Sequence, residues 1–152
     1  VVGGRLRPVL DTLERMKDRG IWVEVTTLVV PGLNDSDDEL RGIAGCISGT
    51  LGAETPWHVS RYHPDHEYRA AAATSAETIQ RAVEIGLQAG LRYVYCGNLP
   101  GEDRESTFCW NCGAMLIRRI GFSVRENLIT ADSLCPQCGA GVDGIGMGGA
   151  GA

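Results

Sequence analysis

The sequence contains no apolar run that approaches the roughly 20 residues of a membrane-spanning helix, and no export signal is visible. It also lacks a P-loop, a Gly-x-Gly-x-x-Gly turn and a Ser-His-Asp pattern, so the residues present do not support catalysis by this segment alone. Without an export signal and with cysteines that look reduced, the cytoplasm is the expected location, and a membrane is not an expected partner.

Basic residues are in short supply. The 152 residues contain 14 Lys and Arg against 19 Asp and Glu, for a net charge of −5. An acidic protein offers no general attraction to nucleic acid, so a nucleic-acid partner is not expected. With 43% hydrophobic residues, the chain can form the core of one domain plus a small appendage. Because it begins at Val1 without a methionine, we expect it to be part of a longer gene product.

The six cysteines are too few for a disulfide scaffold, but four of them form a regular pattern. Two Cys-x-x-Cys-Gly turns occur, with 22 residues (113–134) between the second and third cysteines. Such a turn places two sulfurs close together, and the small residue after it lets backbone N–H groups point at the thiolates. The spacing predicts a four-thiolate metal site of the zinc-ribbon type, formed by Cys109, Cys112, Cys135 and Cys138.

Two other interpretations of the cysteines remain open. Two disulfides would need an oxidising compartment, and a rubredoxin-like site would hold iron with the same four sulfurs. A closed four-cysteine zinc site has no open coordination position, so its default role is structural. Between the turns, residues 115–124 carry β-branched and apolar residues around Gly121, which predicts a short hairpin.

Upstream of the cysteines, helix and strand patterns alternate. Strands joined through helices predict a parallel sheet, and because three strands cannot close a barrel, further strands are expected beside them. After Gly139 the chain is glycine-rich, which predicts a mobile segment without packed structure. The predicted elements are helix 8–19, strand 21–30, a helix that begins with the capping box Ser36–Glu39 and ends near Gly49 or Gly52, strand 56–63, a helix that begins with the capping box Thr74–Glu77 and ends at Gly90, and strand 91–95.

Polar residues collect on the first two predicted strands. Alternation puts Glu24 and Thr26 on the face away from the helices, where a buried carboxylate needs a ligand or a partner such as an Arg or Thr of the neighbouring strand. On the second strand His58 and His63 fall on opposite faces, so they are not expected to share a metal. Their clustering near a strand end indicates binding as readily as a structural role. His66, in the loop that follows, is expected to be solvated.

The two remaining cysteines are assigned to the core. Cys46 lies on the apolar stripe of the second predicted helix, and Cys96 follows the third predicted strand. A reactive thiol is the alternative for Cys96, but packing is the simpler interpretation.

Three longer motifs resemble one enzyme family. They are TTLVVPGLND at 26–35, PWHVSRYHP at 56–64 and GLRYVYCGN at 90–98. In this order and spacing the chain resembles radical SAM enzymes. More narrowly, it resembles the radical SAM member of the AmmeMemoRadiSam system, a relative of pyruvate formate-lyase activating enzyme. The similarity covers almost all of the chain from Val9 to Gly144.

The resemblance implies an α/β fold class. Residues 1–104 would be the C-terminal half of a partial (β/α)6 radical SAM barrel, residues 105–145 a small zinc ribbon, and residues 146–152 a flexible tail. It also implies an activity for the intact enzyme. An electron donor would reduce a [4Fe-4S] cluster, S-adenosylmethionine would be cleaved to a 5′-deoxyadenosyl radical, and that radical would abstract hydrogen from a substrate or partner enzyme.

The resemblance also implies which residues contact S-adenosylmethionine. The Tyr62-His63 dipeptide is similar to a Tyr-His pair at the cofactor pocket of activating enzymes, and the turn at 29–32 is similar to a segment beside the same cofactor. Thr26 stands where those enzymes tend to have arginine. The implied cofactor-binding residues are His63, Tyr62, Thr26, Pro31, Gly32, His58 and Ser60.

The chain departs from this family at the cluster. Radical SAM enzymes hold their cluster with a Cys-x-x-x-Cys-x-x-Cys loop, and no such spacing occurs in these residues. The chain alone is therefore expected to be inactive, with no catalytic residue of its own. The alternative from another class is a non-catalytic zinc-ribbon module that docks a protein or nucleic acid, with the α/β part as its scaffold; the acidic balance disfavours nucleic acid. A third possibility is an iron-carrying ribbon that passes electrons to the barrel.

Overall fold

The structure is a computed structural model that describes residues 3–65, 71–97, 105–121 and 123–148. These residues form a parallel sheet with three helices and a smaller antiparallel sheet. In chain order the elements are α1 (Leu6–Asp18), β1 (Val25–Val29), α2 (Asp37–Cys46), a π-helical turn (Ile47–Leu51), β2 (Trp57–Arg61), α3 (Ala76–Gln88), β3 (Val94–Gly97), β4 (Thr107–Phe108), β5 (Met115–Ile120) and β6 (Ser123–Asn127).

The first sheet is parallel, with strand order β1-β2-β3. Val25 pairs with Trp57, and Trp57 pairs with Val94 on the other side. Helix α2 connects the first pair of strands and α3 connects the second, as the alternating sequence pattern predicts. The mixed α/β organisation expected from the sequence is therefore confirmed.

All three strands are shorter than predicted, and β1 and β3 begin three or more residues late, for a local reason in each case. The N–H of Val25 donates to the carbonyl of Pro56 at 2.9 Å, and Pro56 has no N–H to extend the ladder further. Before β3, the N–H groups of Leu91 and Arg92 donate to Gly86 and Ala53. These residues therefore close the loop after α3 instead of pairing with β2.

The main core lies between the parallel sheet and helices α2 and α3. Trp57 is fully buried at its centre, and its indole N–H donates to Thr27 Oγ1 at 2.9 Å. Helix α3 lies close to the sheet at Gly86, where a Cβ atom would lie 2.8 Å from the Trp57 ring and 2.9 Å from Val94 Cγ2. Other buried members of this core are Val29, Leu40, Ala44, Ile47, Leu51, Val59, Ile79, Ala82, Val83, Ile85, Leu91 and Cys96.

One of the two predicted capping boxes is confirmed, and the other is shifted by one residue. The Ser36 hydroxyl accepts from the Glu39 N–H at 3.3 Å and donates to the Glu39 carboxylate at 2.7 Å. Helix α3 is capped by Ser75, which accepts from the Thr78 N–H at 3.1 Å. The prediction of Thr74 as the first capping residue is wrong, because its side chain is fully buried and bonded elsewhere.

Helix α1 is only partly packed. Leu13 touches the edge of the core, and Lys17 Nζ lies 2.8 Å from Glu54 Oε1. No residue of α1 is buried, and Leu6 is 72% exposed. Among the described residues, β1 pairs only with β2, so its other edge is open. The expectation of further strands beside this sheet stays a prediction.

The antiparallel sheet has strand order β4-β5-β6. Strands β5 and β6 form the hairpin predicted between the two cysteine turns, and Gly121 begins its turn at φ +58°. Leu116, Ile117 and Ile129 form a small separate core with the buried cysteines. We refer to the described residues 105–148 as the cysteine module.

The prediction that the chain lacks packed structure after Gly139 is wrong for residues 139–148. Gly141 pairs with Leu134, and Val142 is 6% exposed within the core of the cysteine module. Ala140 and Met147 also pack against this core, and Asp143 bonds to Arg92, so the few larger side chains among the glycines anchor this segment. Residues 149–152 lie outside the described residues, and a flexible end there remains an expectation. No helix in the described ranges combines the length and apolar character required to cross a membrane.

Candidate functional site

The four cysteines of the predicted metal site lie on two turns with the same geometry. In the first turn the Cys109 N–H donates to Ala114 and the Gly113 N–H donates to Cys109. In the second, the Cys135 N–H donates to Ala140 and the Gly139 N–H donates to Cys135. Gly113 and Gly139 have φ values of +74° and +75°, a conformation that glycine adopts without strain. The glycine after each cysteine pair is thus required by the turn.

The turns bring the four sulfurs together. Cys109 Sγ and Cys138 Sγ are 3.6 Å apart, and Cys112 Sγ and Cys135 Sγ are 3.8 Å apart. All four sulfurs lie within 4.8 Å of one another. A tetrahedral ion with metal–sulfur bonds of about 2.3 Å has sulfur–sulfur edges of about 3.8 Å. The group can therefore hold a metal ion.

Hydrogen-bond donors surround the outer pair of sulfurs. The Asn111 amide lies 3.5 Å from Cys138 Sγ, and together with the Ala140 N–H it lowers the pKa of Cys138 to about 6. Donors of this kind favour the thiolate, which is the form that binds a metal. At Cys112 the Ala114 N–H also acts to lower the pKa, but burial and hydrogen bonds with the other three cysteines outweigh it and raise the pKa. Cys109 and Cys135 are buried while Cys112 and Cys138 are exposed, so the site is open to solvent on one side.

The structure divides the predicted cofactor residues between two places. Thr26 pairs with His58 in register, and Ser60 follows two residues after His58 on the same face of the sheet. The other four lie beyond the carboxyl ends of β1 and β2. His63 and Gly32 are exposed, Pro31 is half-buried and Tyr62 is buried. His66 lies outside the described residues.

Thr74 links the two strand ends and was not recognised from the sequence. Its hydroxyl donates to the Val29 carbonyl at 2.6 Å and accepts from the Tyr62 N–H at 3.1 Å. The Thr74 N–H also donates to the Tyr62 carbonyl at 3.0 Å. This one side chain therefore fixes the segment after β2 against the end of β1. A threonine directly before a serine cap carries no sequence signal of that role.

Side chains also fix the turn after β1. Asn34 Oδ1 accepts from the Val30 N–H at 2.7 Å, and Asp35 Oδ1 accepts from the Gly32 N–H at 2.7 Å. Gly32 has φ +75° and no atom within 4 Å of the position a Cβ would take. The turn thus presents open backbone beside the strand end that Thr74 holds.

His58 belongs to a different group of contacts. Its Nε2 lies 2.7 Å from Glu24 Oε2, and the indole N–H of Trp22 donates to Glu24 Oε1 at 3.0 Å. Burial acts to raise the pKa of Glu24, but the bonds from Trp22 and His58 outweigh it, so the pKa is lowered. The sequence predicted an Arg, a Thr or a ligand as the partner of Glu24. The partner is a histidine of the neighbouring strand.

These residues face a cavity between the parallel sheet and the cysteine module. Its volume is about 1010 Å³. The His58 ring stacks on Tyr95 with centroids 5.1 Å apart, and the Tyr95 hydroxyl bonds Thr107 Oγ1 of the module at 3.0 Å. Arg119 of β5 donates to the same Thr107 oxygen at 2.7 Å. The module therefore covers one face of the sheet.

A second set of contacts joins the module to the parallel sheet. Arg92 Nη1 lies 2.8 Å from Asp143 Oδ2, and the Arg92 guanidinium lies 4.4 Å from the centroid of the Trp110 ring. The Asp143 N–H donates to the Tyr93 hydroxyl at 3.0 Å. Burial raises the pKa of Tyr93 well above its usual range. The Asp143 carboxylate, which accepts from the Tyr93 hydroxyl at 3.2 Å, acts in the same direction, while the bond from the Asp143 N–H opposes it.

The two cysteines outside the metal site do not form a ligand group. Cys46 is half-buried at the end of α2, and Cys96 is buried in β3 with the main core. The predicted packing role of Cys96 is confirmed. Among the described residues, the four cysteines of the module are the one cluster of possible metal ligands.

Comparison with known proteins gives a fold and one relative. No protein-family model matches the chain. It is 45% identical over 139 residues to the uncharacterized protein MJ0808 of Methanocaldococcus jannaschii, a match that covers 91% of this chain and 42% of the relative. The chain thus spans less than half the length of that curated relative.

The chain also superposes on a crystal structure of a domain of pyruvate-formate lyase-activating enzyme from Bacteroides vulgatus. The TM-score is 0.50, with 16% identity over 59% of this chain and 52% of that one. This likeness establishes a shared fold.

Proposed function

We propose that this chain is the C-terminal part of a radical SAM enzyme related to pyruvate formate-lyase activating enzyme, and more narrowly of the AmmeMemoRadiSam type. The main observation in support is that two motifs of that family lie at the same edge of the parallel sheet. The turn at Pro31-Gly32 follows β1, Tyr62-His63 follows β2, and Thr74 bonds to both strand ends. The fold shared with a domain of an activating enzyme supports the same assignment.

The residues at this edge suit a polar cofactor such as S-adenosylmethionine. The imidazole of His63 is exposed beyond the strand end, and the open backbone at Gly32 leaves room for a close approach. When bound, the cofactor would supply a 5′-deoxyadenosyl radical after one-electron cleavage. In this scheme His63 and Tyr62 contact the cofactor, Pro31 and Gly32 lie along it, and Thr74 keeps the two segments in register.

The iron–sulfur cluster does not fit the residues of this chain. Four of the six cysteines already form one closed group, and the remaining two lie on α2 and β3. We therefore propose that a segment of the longer protein, beyond these residues, holds the cluster. The same proposal includes two partners: an electron donor that reduces the cluster, and a substrate or partner enzyme that gives up a hydrogen atom.

We propose that the cysteine module is a zinc ribbon with a structural role. Four thiolates at tetrahedral separations leave no position for a substrate, and the hairpin between the turns is typical of such ribbons. The same sulfurs could hold iron, as in a redox ribbon. Elemental analysis and the visible spectrum distinguish the two, because a ferric four-thiolate site is coloured.

The experiment uses the full-length protein to which this chain belongs, reconstituted without oxygen. His63→Ala is expected to weaken S-adenosylmethionine binding, measured by calorimetry, while the cluster iron is retained. His66→Ala, in the same connection, is the matched control and is expected to bind normally. Unchanged binding by His63→Ala would remove His63 from the site. Failure of the unmodified protein to form 5′-deoxyadenosine with a reductant would contradict the enzyme assignment.

The second candidate is a non-catalytic module that docks a protein. One observation favours it: strand β6 is exposed along its whole length, and Ile120 and Val124 beside the hairpin turn are each 57% exposed. The same assay separates the candidates, because a docking module would neither bind nor cleave S-adenosylmethionine.

A further inference from the structure

The cavity beneath the cysteine module has features that the proposed cofactor edge does not use. Along β1 and β2 it lies at the amino-terminal half of the strands, because Glu24 precedes β1 and His58 is the second residue of β2. Along β3 it extends from Tyr95 to Gly97, the last residue of that strand. The proposed cofactor edge lies at the carboxyl ends of β1 and β2. At about 1010 Å³ the cavity is at the upper end of the range for small-molecule sites.

Hydrogen-bond acceptors in this cavity are only partly used. Glu24 accepts one bond from Trp22 and one from His58, and Glu105 accepts one from the Gly121 N–H at 2.8 Å. A carboxylate offers about four acceptor positions. When neutral His58 donates from Nε2 to Glu24, its Nδ1 is an acceptor, and no described residue donates to it. The lining therefore favours a ligand that donates hydrogen bonds.

The charge of the cavity lining also favours a ligand with N–H donors, and specifically a cation. Asp143 is already paired with Arg92, which leaves the carboxylates of Glu24 and Glu105 against the single guanidinium of Arg119. That guanidinium is itself engaged, with one bond to Thr107 and a position 6.0 Å from the Tyr95 ring centroid. This excess of carboxylate would repel an anion and attract a cation.

Aromatic side chains form a further part of the cavity lining. Trp22, Tyr93 and Tyr95 line the cavity, and the His58 ring is held flat against Tyr95 by the stack and by Glu24. Aromatic faces attract organic cations, and flat rings pack against planar groups. Carboxylates and aromatic rings together are the usual surroundings of a bound amidine, amine or protonated heterocycle.

We propose that the cavity between the parallel sheet and the cysteine module is a binding site for a small planar organic cation. Its N–H groups would donate to Glu24 and to His58 Nδ1, and its ring would lie against the aromatic lining. The site does not depend on the proposed radical chemistry, because neither the cluster nor S-adenosylmethionine takes part in it.

The test uses the full-length protein to which this chain belongs, with metal at the four cysteines, and three probes of nearly equal shape: benzamidine, benzamide and benzoate. Binding is followed by NMR on nitrogen-labelled protein, with the Trp22 indole and His58 imidazole signals as reporters. Benzamidine is expected to shift both signals saturably, more tightly than benzamide and far more tightly than benzoate. Glu24→Gln is expected to weaken benzamidine by about tenfold, the loss of one charged hydrogen-bond partner.

Two control variants test whether benzamidine binds in this cavity and not elsewhere. Glu84→Gln, on the exposed face of α3, removes the same charge away from the cavity and is expected to change nothing. His63→Ala alters the proposed cofactor edge and is also expected to leave benzamidine binding intact. Loss of binding in that variant would place the probe at the other end of the strands and overturn the proposal.

The contrast among the probes needs no variant, so it stands even if Glu24→Gln does not fold. Benzoate binding as tightly as benzamidine would overturn the proposal. So would the absence of saturable shifts at Trp22 and His58, or benzamidine affinity that is unchanged in a folded Glu24→Gln protein.

Discussion

The sulfurs of Cys109 and Cys138 lie 3.6 Å apart, although 29 positions separate them in the chain. The hairpin of β5 and β6 makes this possible, since it returns the chain to its starting point and sets the second cysteine turn against the first. Thiolates at such distances repel one another unless a cation lies between them. The fold of the module and its metal are therefore coupled.

The first prediction concerns this metal. Cys135→Ser is expected to reduce bound metal from one equivalent per chain to near zero, because a weak hydroxyl replaces a thiolate in a closed site. Elemental analysis after exhaustive dialysis measures it, and amide exchange is expected to speed up in residues 105–148. Cys46→Ser, outside the group, is the control and should retain one equivalent. Full metal content in Cys135→Ser would contradict the four-cysteine assignment.

The second prediction tests the close packing of helix α3 against the sheet at Gly86. Gly86→Ala is expected to lower the free energy of unfolding by about 1–3 kcal/mol, because the new methyl would overlap the Trp57 ring and Val94. Urea denaturation measures the change. Gly42→Ala is the matched control: Gly42 lies in α2 with no atom within 4 Å of a Cβ, so alanine should stabilise by about 0.5–1 kcal/mol. Equal changes in the free energy of unfolding for Gly86→Ala and Gly42→Ala would show that contact with Trp57 and Val94 does not cause the loss of stability.

The local patterns of the sequence predicted the scaffold well. Alternating helix and strand signals around Ser36 and Gly90 predicted the order of the elements and a parallel sheet, and the two cysteine turns predicted the metal group. These features depend on short-range rules: capping, side-chain periodicity and turn geometry. The hairpin around Gly121 follows for the same reason.

Contacts between distant segments were not predictable in the same way. The choice of His58 as the partner of Glu24, and the packing of Val142 among glycines, depend on strand register and on how the module folds back. Thr74 is the clearest case, since its sequence neighbours suggest a helix cap while its hydroxyl bonds residues 12 and 45 positions away. One sequence carries no record of such pairings.

The third prediction concerns Thr74 itself. Thr74→Val keeps the shape but removes the hydroxyl, leaving the buried Val29 carbonyl and Tyr62 N–H without that partner. We expect a loss of about 1–3 kcal/mol in the free energy of unfolding and faster hydrogen exchange at the Tyr62 amide. Thr74→Ser, which retains the hydroxyl, is expected to stay closer to the parent protein. Identical exchange at Tyr62 in the valine and serine variants would count against the bridging role.

The fourth prediction is a pH dependence caused by Glu24, whose pKa is lowered below its ordinary value of 4.5 despite the opposing effect of burial. A depressed pKa means that the folded state favours the carboxylate. The contribution of this carboxylate to stability is therefore complete above pH 4.5 and is lost as the pH falls through the lower, folded-state pKa.

Because the Glu24 side chain is 48% exposed, water and salt screen its interactions, and the contribution should stay below about 1 kcal/mol. The difference in free energy of unfolding between the parent protein and Glu24→Gln should accordingly shrink on going from pH 7 to pH 3. Urea denaturation at both values measures it, with Glu84→Gln as a control that keeps a constant difference. A gap between parent and Glu24→Gln that is the same at pH 3 as at pH 7 would mean that Trp22 and His58 do not hold the Glu24 carboxylate in its charged form.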